Sequence, residues 1–279
     1  MKIDNPIIVG IVNCTPDSFS DGLNTKMTTS IFNSCSSSDV FIERAQSLID
    51  DGADMLDVGG DSTRPGSVCV SDEEEWSRIE PVLRTFSHRI PISVDTHKAE
   101  IARRAIEVGA VMINDITGAT DPSLIDIIAN SKALLAFMFN SFSSAHSFSN
   151  PKTELTKDLA IKVIADWANS HSQSLASKGI PFERQVMDTG LGAFLSPNSD
   201  VSFRISEEYW RIRCPSKGRM LGCSRKGFLK QSGEKAPPER DRVSSDIAIQ
   251  VAKETPADTI LYLRVHNVAL HRKLIRYSG

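Results

Sequence analysis

Residues 91–118, PISVDTHKAEIARRAIEVGAVMINDITG, set the frame for the rest of the chain. Two apolar runs, 91–96 and 111–118, bracket a helical stretch that Gly109 closes. A residue just past a helix is often wanted in the left-handed conformation, which glycine reaches without a Cβ clash. The runs are continuous rather than alternating, as expected of parallel strands covered on both faces. Working outward, the same unit recurs, with further apolar runs at 7–13, 55–60, 133–140, 185–191, 219–224 and 259–267. Amphipathic segments separate them. Ser71 and Glu74 have the spacing of a capping box, and Trp76, Ile79, Leu83 and Phe86 follow at three- and four-residue steps. Asp121 before Pro122 writes another helix start. Leu155, Leu159, Val163 and Trp167 step by four toward Gly179, and Gly52 closes a further helical stretch. Eight strand-helix pairs in this length predict an α/β fold, a (β/α)8 TIM barrel formed as a single domain over residues 1–279, with a doubly wound open sheet as the alternative.

The 279 residues carry 32 Lys+Arg against 35 Asp+Glu, a net charge of -3 that argues against a nucleic-acid binder. Hydrophobic residues at 40% and charged residues at 24% are enough for a buried core. Five cysteines, an odd number with no C-x-x-C pair, fit neither a disulfide framework nor a zinc site and predict a reducing cytoplasm. The uncharged apolar run 133–139 is too short to cross a bilayer, and Asp4 and Pro6 stand where a signal peptide would need apolar residues.

A barrel of this kind places its site at the carboxyl ends of the strands. Polar residues crowd there: Asn13, Asp57, the loop 61–66, Asp95, Asn114, Asp115, Asp188, Ser224, Arg225, Lys226, Arg264 and His266. Buried without partners, such groups cost several kcal/mol, roughly 2–7 even when neutral. Some can simply pair with one another or cap helices, above all Asp57 and Asp115. If the rest converge, Asn, Asp and Lys can read the edge of a flat heterocycle, and Asn13, Arg64, Arg264 and His266 can hold a phosphate or diphosphate.

The segments NCTPDSFSDG (13–22) and DVGGDSTRPG (57–66), with SVDT (93–96), IND (113–115), SRK (224–226) and RVH (264–266), resemble the signatures of the dihydropteroate synthase family, in that family's order and over nearly the whole chain. The resemblance implies condensation of 6-hydroxymethyl-7,8-dihydropterin diphosphate with p-aminobenzoate to give 7,8-dihydropteroate and diphosphate. It implies that Asp95, Asn114, Asp188 and Lys226 grip the pterin, and that Asn13, Arg64, Arg264 and His266 hold the diphosphate, with Asn13 near a Mg²⁺ ion. Asp95, Lys226, Arg264 and His266 would carry the catalysis. Thr63, Pro65, Phe19 and Gly227 would line the aminobenzoate position, with Phe19 and Asp21 on a closing lid. It further implies a homodimer and a target of sulfonamides.

The long stretch 14–39 suits a lid around Phe19 and Asp21, whereas the run 34–38 reads as a disordered insertion and 141–150 as a surface loop. Departures from the family pattern gather at the aminobenzoate end: Phe139 stands for a usual His, Ala193 followed by Phe194 for a usual Phe, and Gly227 for a frequent Ser. Asn267 replaces a usual Asp. With Gly227, recognition of a carboxylate is expected to rest on backbone N–H groups at a helix start. Two rival classes fit part of the pattern, a pterin-binding methyltransferase domain and a non-catalytic pterin binder. Arg64, Arg264 and His266 form an anion site that the methyltransferase reaction does not need.

Overall fold

Every apolar run becomes a strand. In the computed structural model, which describes residues 6–15, 37–62, 67–142, 155–232 and 236–278, these are β1 (Ile7–Asn13), β2 (Met55–Gly59), β3 (Ile92–Asp95), β4 (Met112–Asp115), β5 (Leu134–Met138), β6 (Gln185–Asp188), β7 (Gly218–Leu221) and β8 (Ile260–Val265). They pair in parallel in chain order, and β8 closes on β1 through Ile7 with Tyr262 and Gly10 with Val265. Closure excludes the doubly wound alternative, whose sheet has two edges.

The helices are α1 (Ser37–Asp50), α2 (Asp72–Phe86), α3 (Ala99–Glu107), α4 (Pro122–Ala129), α5 (Ala160–Ser177), α6 (Ser199–Glu207), α7 (Asp241–Glu254) and α8 (Val268–Ser278). Their apolar faces pack on the outer faces of the strands in one continuous core that includes Leu48, Ile79, Leu83, Ile101, Leu124, Ile164, Val201, Ala248 and Ile275. Gly52, Gly109 and Gly179 end α1, α3 and α5 with φ of 93°, 102° and 93°, the left-handed geometry that their positions predict. Ser71 caps α2 by accepting from the Glu74 N–H at 3.2 Å. The return arm of the expected box is replaced, because the Glu74 carboxylate pairs with Arg78 one turn on, at 2.5 Å. Asp121 caps α4 by accepting from the Ser123 N–H at 2.9 Å, with Pro122 in the first turn.

Three expectations need correction. The buried stripe of α5 is Ala160, Ile164, Ala168 and Leu175, one position on from the predicted one, and Leu159 is 55% exposed. Both spacings repeat by four, so periodicity alone does not choose between adjacent rows. Ser37 and Ser38 open α1 rather than belonging to an insertion, while 34–36 lie outside the described residues. Ser141 and Phe142 are buried, not on a surface loop, and the Ser141 hydroxyl donates to the Leu195 carbonyl at 2.6 Å; 143–150 lie outside the described residues. No helix among the described residues is long and apolar enough to cross a membrane.

Inside the barrel, Val9, Met55, Met112, Ala136, Val186, Met220 and Tyr262 form a separate apolar layer, with Ile7 and Leu134 against it. That layer is the floor of the site. Strand side chains alternate with a period of two, so the residue two positions after each member points into the barrel one layer higher.

Candidate active site

Counting two residues up from the floor gives Asp57 after Met55, Asn114 after Met112, Asp188 after Val186 and Arg264 after Tyr262. Asp95 follows Ser93, and His266 continues β8 in the same parity. The pleat therefore converts scattered positions into one polar layer. Asp115 is out of phase by one. Its carboxylate accepts from the Thr117 N–H and hydroxyl at 2.7 Å each and from the Ala119 N–H at 2.9 Å, so its role is structural, in holding the turn after β4.

Arg264 is the hub of this layer. Its Nε donates to Asp57 Oδ2 at 2.5 Å and its Nη2 to Asp95 Oδ2 at 2.6 Å. Asn114 donates to the same Asp57 oxygen at 3.3 Å. Burial pushes the Asp95 carboxyl above the usual carboxylate range against the pull of Arg264, and the Asp57 charge adds to the push. Burial alone would lower Arg264, yet the two carboxylates hold it above its ordinary value. Asp57 is thus paired, as expected of it, although its Oδ1 is buried with no hydrogen-bond partner.

On the opposite wall Asp188 Oδ1 accepts from the Gly190 N–H at 2.8 Å, and Lys226 Nζ donates to the Leu191 carbonyl at 2.6 Å. A Cβ on Gly222 would stand 3.4 Å from Asp188 Oδ2 and 3.9 Å from Lys226 Nζ, so that glycine leaves the space beside both charges open. Burial raises the Asp188 carboxyl and lowers the Lys226 ammonium, and each opposes the other's shift by its charge. Asp95 and Arg264 are also felt at Lys226, so Asp95, Asp188, Lys226 and Arg264 form one electrostatic unit.

His266 lies against Ser224. The Ser224 hydroxyl oxygen accepts from the His266 backbone N–H at 3.2 Å and stands 3.0 Å from His266 Nδ1. The Ser224 hydroxyl can both accept and donate, so this contact is satisfied with the ring proton of His266 on either nitrogen.

The described ends of the loop after β2 are tied down by a residue that sequence reasoning missed. Lys98 Nζ lies 2.8 Å from Glu75 and 3.6 Å from Asp61, and donates to the Val70 carbonyl at 2.5 Å. Nothing in the sequence marks this: Asp72-Glu73-Glu74-Glu75 reads as a solvated first helical turn, and only the fold buries Glu75 completely.

Of the expected site residues, Asp95, Asn114, Asp188, Lys226, Arg264 and His266 come together, with Asn13 at the end of β1 opposite Gly59 of β2. Phe19, Asp21, Thr63, Arg64 and Pro65 lie outside the described residues. Gly227 opens a 3-10 turn, Gly227–Ser232, and a Cβ there would meet nothing within 4 Å. Phe139, the residue in place of a usual His, is buried edge-on against Trp167 at 5.2 Å. Phe194, one position late, sits with its ring centroid 6.0 Å from Lys226 Nζ, so the displaced aromatic still borders the site. Among the described residues no group of three or more His, Cys, Asp or Glu is arranged to hold a metal. Asn13 offers a single amide oxygen, which fits a Mg²⁺ ion that takes most of its ligands from substrate phosphates and water.

The closed parallel barrel with this polar crown defines an α/β barrel of the class that carries its active site at the carboxyl ends of the strands. The family model described as pterin binding enzyme matches residues 9–266. The chain belongs to that family. It is similar to the dihydropteroate synthase of Bacillus subtilis, 35% identical over 269 residues, covering 95% of this chain and 85% of that one. A solved Xanthomonas albilineans dihydropteroate synthase with 4-aminobenzoic acid superposes with a TM-score of 0.83 at 28% identity, covering 99% of this chain and 93% of that one. The Anaplasma phagocytophilum enzyme with bound 6-hydroxymethylpterin-monophosphate gives 0.81 at 28% identity, covering 98% of each chain.

Proposed function

We propose that the chain condenses 6-hydroxymethyl-7,8-dihydropterin diphosphate with p-aminobenzoate to form 7,8-dihydropteroate and diphosphate. The observation that carries this reading is the joining of Asp95, Asn114, Asp188, Lys226 and Arg264 in one layer, part buried and part half-buried, above an apolar floor. Carboxylates accept paired N–H groups of a pterin edge, and Asn114 and Lys226 donate to its ring oxygen and nitrogens. The bond from the methylene carbon to the diphosphate oxygen breaks, with its electron pair leaving on diphosphate. The cation left behind is conjugated with the pterin, and the Asp95 charge balances it. The arylamine nitrogen then forms the new C–N bond and loses a proton.

Cationic groups stabilise the departing charge where it develops. His266 offers a ring N–H, and Arg64 adds a cation. Arg264, already engaged by Asp57 and Asp95, acts on the diphosphate through its charge. Asn13 would hold Mg²⁺, which supplies charge neutralisation on the diphosphate oxygens when bound. Thr63, Pro65, Phe19 and Gly227 would receive the aminobenzoate, and Phe19 and Asp21 would cover the site and exclude water that competes for the cation. No covalent enzyme intermediate is needed. Burial agrees with this at Cys223, whose thiol is pushed up to about 12, far from a thiolate nucleophile.

A homodimer and a cytoplasmic setting complete the reading; light scattering of the purified protein tests the first. The activity is tested by incubating the protein with the pterin diphosphate, Mg²⁺ and p-aminobenzoate and following diphosphate release. Release that depends on aminobenzoate supports the synthase, whereas binding without release favours a pterin sensor.

A further inference from the structure

The turn after β7 contains a residue in an unfavourable backbone conformation. Arg225 has φ of 59°, one of two non-glycine residues at positive φ among the described residues. Its neighbours on both sides are site residues: Ser224 meets His266, and Lys226 reaches the Leu191 carbonyl beside Asp188. A left-handed non-glycine residue persists only where its surroundings hold it. Here Asp241 and Arg240 hold it directly, and Asn267 braces Asp241. Arg225 Nε donates to Asp241 Oδ1 at 2.7 Å and its Nη2 to Asp241 Oδ2 at 2.8 Å, a two-pronged pair with a buried carboxylate at the start of α7. Arg240 Nη1 donates to the Arg225 carbonyl at 2.8 Å. Asn267, which follows His266, donates from Nδ2 to Asp241 Oδ2 at 3.0 Å, while its Oδ1 accepts from the Leu270 N–H at 3.1 Å and so fixes which way the amide faces.

We infer that Asp241 is a positioning residue for the pterin end of the site: by clamping Arg225 it aims Lys226 toward Asp188 and Ser224 toward His266. The inference rests on the synthase reading above. It also explains why an amide stands at 267. A carboxylate there would face Asp241 across the same 3.0 Å with no hydrogen to share, and two anions would compete for one guanidinium.

The test compares Asp241→Asn, Asn267→Asp and the exchange variant Asp241→Asn/Asn267→Asp. Each is read by the Kd of the pterin diphosphate in the absence of aminobenzoate, by kcat and KM, and by Tm. Asp241→Asn and Asn267→Asp are each expected to weaken pterin diphosphate binding at least fivefold. The exchange variant returns one carboxylate to the cluster and is expected to recover most of that loss. A Kd within twofold of wild type in Asp241→Asn overturns the inference, whatever happens to Tm, and so does an exchange variant no better than Asp241→Asn. If Asp241→Asn fails to fold, Arg225→Lys keeps the charge and loses the fork, and an unchanged Kd there overturns it equally. A wild-type protein that releases no diphosphate sinks the synthase reading instead, and the Kd comparison still decides the clamp.

Discussion

The two mouths of the barrel use the same kinds of side chain in opposite ways. At the amino ends of the strands, Arg184 donates to the carbonyls of Ile128, Ser131, Ala133 and Gly179 at 2.8 to 3.2 Å. Beside it Gln185 gives its amide to Ser172 and Ile180 carbonyls at 3.0 and 2.7 Å, and Arg272 donates to the Gly52 carbonyl. These groups are satisfied within the fold, by backbone carbonyls and, at Gln185 and Arg272, also by the Ser172 hydroxyl and the Asp54 carboxylate. At the carboxyl ends the charges face one another across the barrel, with Arg264 between Asp57 and Asp95, Lys226 beside Asp188, and Asp57 Oδ1 and Thr189 Oγ1 buried without a partner. Charged groups gathered above an apolar floor at the carboxyl mouth lie where a parallel barrel keeps its site, whereas those at the other mouth are tied into the fold.

The largest expected effect sharpens this contrast. Lys226→Ala and Asp95→Asn are each expected to lower turnover more than tenfold while the protein keeps its fold, as judged by Tm and circular dichroism. Near wild-type rates in either would refute its role. Arg184→Ala is expected to do the reverse, lowering stability by about 2–4 kcal/mol through lost charge-assisted hydrogen bonds and leaving kcat/KM within twofold. Denaturant titration beside steady-state kinetics checks both halves, and a loss of activity without a loss of stability at Arg184 breaks the comparison.

The next effect is one of pH. Burial raises both Asp95 and Asp188, so they take up protons at higher pH than exposed carboxylates do. On the proposed reading the ionised forms hold the pterin, so kcat/KM is expected to rise with pH along an acid limb shared by the group of carboxylates. That limb should lie above the ordinary range near 4. A pH-rate profile with its acid limb at about 4 contradicts the buried-crown account.

The smallest effect falls at the edge of the site. The space around Gly227 is open, so Gly227→Ser is expected to fit without strain and to lower KM for aminobenzoate by a few-fold, about one hydrogen bond's worth. KM for the pterin diphosphate should not move. A rise in KM for aminobenzoate would mean that the position serves by its bare backbone.

Much of the crown was legible because local chemistry and period carry it. Asp95, Asn114, Asp188, Lys226, Arg264 and His266 each sit at the end of an apolar run or just beyond it, where a parallel barrel keeps its reacting groups. The parity of the pleat also separates inward Asn114 from outward Asp115, although the sequence places them side by side. What was not legible depends on partners far away in the chain. Arg264 and Asp57 are 207 residues apart, and nothing local announces that they share a hydrogen bond. Asp241 and Glu75 look like helix-start acids, and only packing shows that each is buried against a cation, Arg225 in one case and Lys98 in the other.

The amino-acid sequence by itself determined the repeating strand-helix units, their glycine stops and the kinds of group gathered at the strand ends, because these follow from periodicity and backbone sterics within a few residues. Tertiary structure decided which charge meets which, the left-handed turn at Arg225 and the shift of the α5 stripe by one position. Those depend on closing the barrel, which brings β8 beside β1 and makes neighbours of residues whose separation along the chain carries no signal.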